Sequence, residues 1–481
     1  MLENFTALLP EVFLAGVTLF ALVVGVFSKP ENQFKNAQVI SITGLISVLA
    51  LFYVSAGSQG LNPTVPTSAE IFANGMFFSY NFTVIMKILI TICAIVLLLL
   101  ARPFLETKQH LKFEYNILFL TAVLGAFVAV STLNLVVMFI GLELLSFSLY
   151  VLVGFVRDSK ITVKSANKYF IVGSVASSLM LYGISLVYVT TGGVSYESLA
   201  LFIEKVGVFN LPFEMFLALS LILMALLFKI AIVPLHFYIS DVLVGSNRPV
   251  LGFISTVSKI VGLMVLFQIL VIILPVHAAP VDYYTLMLTL AIISVFVGSA
   301  YALRENNINR FLAYSSINNA GFMLITVMVT DFGSLLFYLV NYCLVTLALV
   351  SFLLSFKVRG EYIKTIQDLA FITKKNHKFA LLGVFLIFAL SGVPPFVMFY
   401  AKLLVIQNLV AMGFITAAVL LVIGSVISVA YCLRLIKYIY LADKDADVSI
   451  QKIPFAKLIT YLLFILILVF SILPDTVLYI F

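Results

Sequence analysis

The chain has 481 residues, of which 63% are hydrophobic and only 10% are charged, and its formal net charge is +7. This composition excludes an ordinary soluble globular protein, in which about 25% of residues are charged. Apolar runs of about twenty residues recur along the whole length, and each is long enough to cross a bilayer as a helix. The sequence therefore predicts an all-α polytopic protein that forms a single membrane domain over residues 1–481.

Fourteen apolar runs are predicted to be transmembrane helices, numbered one to fourteen in chain order. They cover residues 6–28, 38–56, 77–101, 115–131, 133–155, 167–190, 213–234, 250–274, 284–303, 310–330, 334–356, 379–409, 413–436 and 455–477. The gaps between them are too short to hold a soluble domain. The first run follows Glu3 and has no basic residues before it, so it is not predicted to be a cleavable signal peptide.

Lysine and arginine residues are concentrated in alternate loops. Basic residues occupy the odd-numbered loops, from Lys29 in the first to Lys452 in the thirteenth, whereas Lys205 is the one basic residue of the even-numbered loops. The positive-inside rule places the odd loops on the cytoplasmic or matrix side. Both termini are then predicted on the periplasmic or intermembrane-space side. This distribution explains the positive net charge without a nucleic-acid partner.

The sequence offers no recognisable metal or cofactor site. The three cysteines lie far apart in apolar runs, a spacing that suits no iron–sulfur cluster, zinc site or disulfide framework. The four histidines fall in or beside loops, which disfavours paired axial haem ligands. No glycine-rich phosphate-binding loop is present. We therefore expect no metal, nucleotide, flavin or haem in this chain.

Five charged side chains deep within predicted helices carry the functional argument, namely Lys87, Lys229, Lys259, Lys402 and Glu143, which is the only acid expected at such depth. A charged residue at the centre of a transmembrane helix costs roughly 3 kcal/mol on insertion scales. Such residues commonly mark proton or ion pathways. The set predicts a carrier of protons or cations.

Glu143 lies in the middle of helix five, and Ser146 and Tyr150 follow it at i+3 and i+7 on one helix face. A low dielectric disfavours the charged forms of both a carboxyl group and an amine, whereas a nearby opposite charge restores them. A Glu–Lys pair that can open is therefore a switchable proton site. The alternative is a static buried ion pair that fixes helix packing.

Helices seven and twelve each combine a lysine with a proline that should break the helix. Pro234 is predicted to interrupt helix seven near Ile230, close to Lys229, and Pro394-Pro395 precede Lys402 in helix twelve. Broken helices at corresponding positions of two halves are typical of transporters and indicate where their site lies. The alternative for each proline is an ordinary kink.

Four side chains are candidates with open alternatives. Lys259, in helix eight, is a functional candidate, or it snorkels toward the basic side. Lys168, at the predicted entrance of helix six, joins the pathway or only anchors the helix. His236, after the Pro234 break, relays protons or is an ordinary loop histidine. For Lys87, packing and function remain equally open.

Several stretches, in this order, resemble the antiporter-like subunits of respiratory complex I, and among them the subunit N family, called NADH dehydrogenase subunit 2 in mitochondria. These stretches are LLPEVFL, LELLSFSLYVL, KYFIVGSVASSLMLYG, FKIAIVPLHFYISDV, NINRFLAYSSINNAGFML, SGVPPFVMFYAKL and SVISVAYCLRLIKYIY. They cover residues 113–440 well and the first hundred more loosely.

The resemblance implies a fourteen-helix fold with two inverted five-helix repeats, helices four to eight (113–275) and nine to thirteen (284–440), with helices seven and twelve broken. Helices one to three (1–112) precede the repeats, and helix fourteen (455–477) follows them. The family's mid-membrane proton axis maps to Glu143, Lys229, Lys259 and Lys402. Its lysine on helix six maps to Lys168.

The chain departs from the family pattern at several positions. Tyr238 replaces the usual tryptophan, and Val244 lies where the family has glutamate. Asn309 and Asn319 replace a usual lysine and histidine, which puts a proton relay at helix ten in doubt. The absence of tryptophan and the 44 phenylalanines favour a mitochondrial inner membrane over a bacterial plasma membrane.

The resemblance implies a proton-translocating membrane-arm subunit of NADH:quinone oxidoreductase. NADH, FMN, iron–sulfur clusters and quinone would then belong to partner subunits, and the chain's own partners would be other membrane-arm subunits and the lipid bilayer. A multisubunit Na⁺/H⁺ antiporter or a membrane-bound hydrogenase subunit is the alternative. A solute carrier should show polar and aromatic residues at the helix breaks rather than a row of lysines, and a structural scaffold leaves the buried charges without a purpose.

Overall fold

A computed structural model describes residues 8–56, 70–72, 76–79, 81–157, 159–207, 210–273, 281–441 and 450–474. The extreme ends of the first and last predicted helices, His277 and Lys444 lie outside these residues. The helices are α1 Leu9–Phe27, α2 Gln33–Ala56, α3 Asn81–Thr107, α4 Glu114–Val130, α5 Leu135–Val153, α6 Lys160–Thr191, α7 Tyr196–Val206, α8 Phe213–Ile230, α9 Ile239–Gly245, α10 Arg248–Ser255, α11 Val257–Ile273, α12 Val281–Arg304, α13 Ile308–Met328, α14 Phe332–Leu354, α15 Ala370–Lys375, α16 His377–Ser391, α17 Val397–Ala411, α18 Ile415–Leu441 and α19 Pro454–Ile472. The strands are β1 Glu70–Phe72, β2 Phe77–Ser79, β3 Phe356–Val358, β4 Glu361–Tyr362 and β5 Ile450–Lys452.

The predicted polytopic helical fold is confirmed. Within the described ranges, 12 helical stretches are long and apolar enough to cross a membrane, and α4, α16 and α17 are shorter apolar helices of 17, 15 and 15 residues. Each of the fourteen predicted spans coincides with one of these helices or with a broken pair. The predicted start of helix six at residue 167 is wrong, because α6 already begins at Lys160. The two inverted repeats stay a prediction.

The chain divides into two compact units. Unit 1 contains Met1–Ile230 and Val257–Tyr284, and unit 2 contains Ala231–Thr256 and Thr285–Ile480. The chain therefore leaves unit 1 at the end of α8, contributes α9 and α10 to unit 2, and returns to unit 1 with α11.

In unit 1, α4 and α5 pack backbone to backbone. A Cβ on Gly125 would lie 2.5 Å from the Leu145 nitrogen, and one on Gly141 would lie 2.6 Å from the Ala129 nitrogen. Small residues allow this close approach. The resulting van der Waals packing stabilises helix association in lipid, where no hydrophobic effect acts between helices. Because Gly141 lies two residues before Glu143, this contact fixes the height of the carboxylate. The strands β1 and β2 form an antiparallel hairpin in the same unit.

In unit 2, α13 and α14 form the interior. The apolar stretches of these helices are 94% and 100% buried. The corresponding stretches of α18 and α19 are only 33% buried, and these helices present one apolar face outward. A helix that is apolar all round and fully buried is a core helix, whereas a helix with an exposed apolar face suits contact with lipid. A small antiparallel sheet in the order β4-β3-β5 lies at one end of α14.

Two helices are broken where the prolines predict it. The first break separates α8, which ends at Ile230, from α9, and the second separates α16, which ends at Ser391, from α17. Each break contains a cis peptide bond before a proline, Val233-Pro234 in the first and Pro394-Pro395 in the second. Proline has no backbone N–H and clashes with the preceding turn, which explains why both helices stop.

Each break also leaves backbone N–H groups without a helical acceptor, and a serine from another helix satisfies one of them. Val233 N donates to Ser294 Oγ of α12 at 3.0 Å, and Val397 N donates to Ser471 Oγ of α19 at 3.0 Å. A buried N–H without an acceptor is costly, since no water replaces the lost bond. The two serines therefore stabilise the broken conformations.

We predict that Ser294→Ala destabilises the protein, because the Val233 N–H then stays buried without an acceptor. The expected loss is about 1–3 kcal/mol in the free energy of unfolding. Thermal denaturation of the purified protein in detergent measures it. Ser220→Ala is the control, since exposed Ser220 bonds only the Phe216 carbonyl of its own helix. Equal melting temperatures for both variants would contradict the stabilising role of Ser294.

Candidate functional site

Glu143 and Lys229 form a buried ion pair between α5 and α8 in unit 1. Lys229 Nζ lies 3.5 Å from Glu143 Oε1, and the two side chains are 10% and 14% exposed. The ammonium also donates to Ser146 Oγ at 2.7 Å. Ser177 of α6 donates its hydroxyl hydrogen to the carboxylate. The pair therefore has a neutral hydroxyl group beside each charge, and the ammonium lies closer to its hydroxyl partner than to the carboxylate.

The sequence places this pair by simple local rules. Asn134 caps α5 by accepting from the backbone N–H groups of Val136 and Val137. Glu143 is the ninth of the 19 residues of that helix and so lies at mid-length. Lys229 is the last residue but one of α8, directly before the Pro234 break. Lys229 is thus the lysine that pairs with Glu143.

Two tyrosine side chains, Tyr150 of α5 and Tyr169 of α6, follow the pair along these helices. Tyr150 hydrogen-bonds Ser146, and its hydroxyl lies where a Cβ on Gly173 would be, at 2.0 Å. The Tyr150 and Tyr169 rings are in edge contact, with centroids 4.7 Å apart. Tyr169 follows Lys168 in the chain. The polar stripe predicted for helix five therefore continues onto α6.

Lys168 is not at a helix entrance, which corrects the sequence prediction. It is the ninth residue of α6, about 12 Å from the first, at 1.5 Å per residue. Its side chain lines an open cleft of about 670 Å³ together with Arg157, Lys160, Lys164 and Asn167. The cleft gives Lys168 access from the basic end of α6. Lys168 therefore lies between the surface and Tyr169.

Lys259 is 2% exposed and is the third residue of α11. Its helix packs closely on the end of α8, because a Cβ on Gly262 would lie 2.9 Å from the Ile230 side chain. Ile230 follows Lys229 in the chain. Unit 1 therefore brings the backbones carrying Lys229 and Lys259 together, as expected for members of one pathway.

Lys402 lies in unit 2 and has a different environment. It is 3% exposed, and its Nζ donates to the Ser391 carbonyl at 2.7 Å and to Ser428 Oγ at 3.0 Å. The ammonium also lies 5.0 Å from the centre of the Phe322 ring, a cation–π distance. Ser391 ends α16, so a carbonyl group at the helix break binds the lysine. Among the described residues, no acidic side chain lies within 4 Å of it.

A second polar cluster lies farther along α17, six residues after Lys402. Asn408 Nδ2 donates to Asp331 Oδ2 at 3.2 Å and to Ser334 Oγ at 3.0 Å. Asp331 also caps α14 by accepting from Gly333 N. Asp331 was not among the residues selected from the sequence. Its position, as an acid at the start of an apolar helix, could have indicated a polar contact there.

His236 also belongs to unit 2, as do Asn309 and Asn319 of α13, the helix predicted as helix ten. His236 is partly buried, and its Nδ1 has no hydrogen-bond partner among the described residues. Asn319 accepts from the Tyr338 hydroxyl at 2.9 Å and donates to the Ser315 carbonyl. Asn309 donates to the Leu243 carbonyl at 3.2 Å. Both asparagine side chains are therefore held by hydrogen bonds, and neither amide group titrates as a lysine or histidine does.

The structure corrects the prediction that Glu143 is the only deeply buried acid. Glu11 of α1 is 6% exposed at its side chain and forms an ion pair with Lys87 of α3, which is 2% exposed. Lys87 thus has an acidic partner 76 positions away in the chain. The signal in the sequence was Glu11 itself, an acid inside an apolar run.

Similarity to known proteins identifies the family of this chain. A family profile described as NADH:quinone oxidoreductase/Mrp antiporter, transmembrane, matches residues 132–428, which include Glu143, Lys229, Lys259 and Lys402. The chain belongs to this family. The resemblance inferred from the sequence is therefore confirmed at the family level.

Relatives and solved structures agree with this assignment. The NADH-quinone oxidoreductase subunit N of Ruthia magnifica subsp. Calyptogena magnifica is 33% identical over 472 residues, which cover 97% of this chain and 95% of the relative. A chain of respiratory complex I from Thermus thermophilus superposes with a TM-score of 0.80 at 26% identity, with 98% of both chains covered. A chain of the Mrp complex from Dietzia sp. DQ12-45-1b has the same fold, with a TM-score of 0.84 at 19% identity over 100% and 96% of the two chains.

Gly392 allows the aliphatic part of Lys402 to pass the end of α16. It adopts φ +77, and an added Cβ would lie 3.0 Å from Lys402 Cδ. Gly413 has φ +83 and no neighbour within 4 Å of an added Cβ, so it is a matched control. An alanine in the left-handed conformation costs about 1–2 kcal/mol.

We predict that Gly392→Ala lowers the melting temperature more than Gly413→Ala does. Both variants lose the conformational freedom of glycine, but only Gly392→Ala also displaces Lys402 from its contacts. Thermal denaturation of the two purified variants in the same detergent measures the difference. If the two shifts were the same, Lys402 would not depend on the space at Gly392.

Proposed function

We propose that the chain is a proton-translocating membrane-arm subunit of an NADH:quinone oxidoreductase. The observation that carries the proposal is the buried Glu143–Lys229 pair with its hydroxyl partners Ser146 and Ser177. Family membership and the relative named NADH-quinone oxidoreductase subunit N support the assignment to this complex. The chain itself would move protons and perform no electron transfer.

The geometry of the pair suggests how a proton moves. At 3.5 Å the ammonium is held loosely by Glu143 and more closely by the Ser146 hydroxyl. If the carboxylate swings away, a lone ammonium in a low dielectric is unfavourable and gives up its proton. When the carboxylate returns, the charged lysine is favoured again, and Lys229 takes up a proton. Opening and closing of the pair would thus load and unload one proton site.

The remaining lysines would act as stations along the pathway. Lys168 lies at the basic cleft, and Tyr169 and Tyr150 would form an entry route from it to the pair. Lys259 would receive the proton from Lys229, because their helices pack together. In unit 2, Lys402 would be a further station, with His236 as a relay.

Cofactors and partners follow from the same assignment. NADH, FMN, the iron–sulfur clusters and quinone would be bound by partner subunits, and the chain's neighbours would be other membrane-arm subunits. The relatives found are bacterial, which favours a bacterial plasma membrane over the mitochondrial inner membrane that the missing tryptophan suggested. We propose that both termini face the periplasmic side, on the basis of the alternating loop charges.

The main rival is a subunit of a multisubunit Na⁺/H⁺ antiporter or a membrane-bound hydrogenase. The fold does not separate it from the first proposal, because the Mrp and complex I chains superpose comparably well, with TM-scores of 0.84 and 0.80. The sequence does separate them, since the subunit N relative is 33% identical over nearly the whole chain. Proton movement that requires sodium but not NADH would favour the rival.

A mild-detergent pull-down of the tagged chain should retain inhibitor-sensitive NADH:quinone reductase activity. The physical reason is that a chain whose apolar outer faces contact neighbouring subunits stays with them when lipid is replaced by detergent. The activity of the eluate is compared with that of the starting membranes. An inactive eluate from active membranes would make the free-standing antiporter the leading account.

Glu143→Gln and Lys229→Ala should each lower the number of protons pumped per NADH oxidised. A positioned proton-transfer group contributes about 10²–10⁴-fold to the rate, so its removal should stop transfer on the time scale of turnover. The ratio is measured with the purified complex in sealed liposomes, with NADH oxidation followed in parallel.

The matched control is Glu106→Gln, which removes the surface ion pair with Arg102, where both side chains are 46% exposed. It should leave both rates unchanged. If Glu143→Gln and Lys229→Ala both leave pumping per electron intact, the proposed role of the pair is wrong.

A further inference from the structure

The pair formed by Glu11 and Lys87 has no role in the pathway described above. It lies in α1 and α3, before the part of the chain that matches the family profile, residues 132–428. Both side chains are more deeply buried than those of the Glu143–Lys229 pair, at 6% and 2% exposure against 14% and 10%. Unit 1 therefore holds a second buried acid–lysine pair.

One contact of this pair resembles a contact of the central pair. Ser131 Oγ lies 3.4 Å from Glu11 Oε1, so a hydroxyl group again accompanies the carboxylate oxygen that Lys87 contacts. The Lys87 ammonium also lies 5.9 Å from the centre of the Phe52 ring. The second carboxylate oxygen, Glu11 Oε2, is buried and accepts no hydrogen bond from any described residue. A buried acceptor of this kind is costly in a purely structural pair and is suited to receiving a proton.

A polar side chain connects the pair to the helix that carries Lys259. Gln268 of α11 is 1% exposed, and its Nε2 donates to the Val130 carbonyl at 2.6 Å. Val130 directly precedes Ser131, which contacts Glu11. Gln268 Oε1 is also buried and accepts no hydrogen bond within the described part of the chain. Glu11 and Gln268 thus contact two consecutive residues, and each has a buried oxygen without a partner among the described residues.

The pair lies near one end of the helix bundle of unit 1. Glu11 is the third residue of α1 and Lys87 the seventh of α3, and Ser131 follows the last residue of α4. The hairpin strand β2 covers this end, since Phe78 N donates to the Ser131 carbonyl at 3.0 Å. Gln268 is nine residues beyond Lys259 on α11, or about 13 Å along the helix. The pair therefore lies between Lys259 and the end where α1 begins.

We propose that Glu11 and Lys87 form a second protonatable pair, which receives protons from the Lys259 side by way of Gln268 and releases them at the end of unit 1 where α1 begins. This inference rests on the proposed function, because it supplies an outlet for the protons that the Glu143–Lys229 pair moves. The alternative is an ion pair that only fastens α1 to α3. A fastening pair can be replaced by neutral side chains without loss of function, whereas a proton station cannot.

The test measures protons pumped per NADH oxidised, with the purified complex in sealed liposomes, for Glu11→Gln, Glu143→Gln and the variant carrying both changes. If the two pairs serve one pathway, each single change lowers the ratio by the same amount and the combined change lowers it no further. Gln38→Met is the control, because Gln38 joins α2 to α3 by a buried bond to the Leu98 carbonyl at 2.8 Å and cannot titrate. It should leave the ratio unchanged.

Glu11→Gln leaves Lys87 buried without its acidic partner. If this prevents assembly of the complex, two further variants still test the inference. Glu11→Gln with Lys87→Met removes both charges and should restore assembly while the ratio stays low. Gln268→Met keeps the pair but removes its connection and should lower the ratio as well. A normal ratio in any assembled variant that lacks Glu11, or an additive loss in the combined variant, would overturn the inference. A normal ratio in Glu143→Gln would instead overturn the proposed function.

Discussion

The cost of placing a charged group in an apolar interior governs the arrangement of this protein. Among the described residues, Lys87, Lys229 and Lys402 lie against polar atoms that offset the lost hydration of their ammonium groups. Lys87 and Lys229 each contact a carboxylate, whereas Lys402 contacts a backbone carbonyl and a hydroxyl group. The helix breaks, the serines and the close glycine contacts bring these polar atoms to the lysines.

The two units solve the same problem with different chemistry. In unit 1 the partner of Lys229 is an acid, which can itself gain or lose a proton, so the state of one group sets the preferred state of the other. In unit 2 the partners of Lys402 are the Ser391 carbonyl and the Ser428 hydroxyl, which stay neutral. Neither contact of Lys402 can gain or lose a proton in place of the lysine. The two lysines therefore differ in the chemistry of their surroundings.

The fold alone does not determine what this protein does. Chains from complex I and from an Mrp complex superpose on it about equally well, so the same architecture occurs in two different complexes. The function of this chain follows from which groups it holds and from the subunits that assemble around it, and the near full-length similarity to a subunit N bears on the second point.

Local sequence patterns are enough to predict the membrane class, the helical spans, the two breaks and the four buried lysines, because each depends on local composition or on a proline within a few residues. They also select Glu143 as the partner of a lysine, since a lone acid at mid-helix demands one. Three features emerge only from the folded chain: Glu11 lies against Lys87, Ser294 and Ser471 satisfy the broken helices, and α6 begins seven residues earlier than its apolar run. These features depend on atoms brought together from distant parts of the chain, and no local pattern records which distant atoms meet.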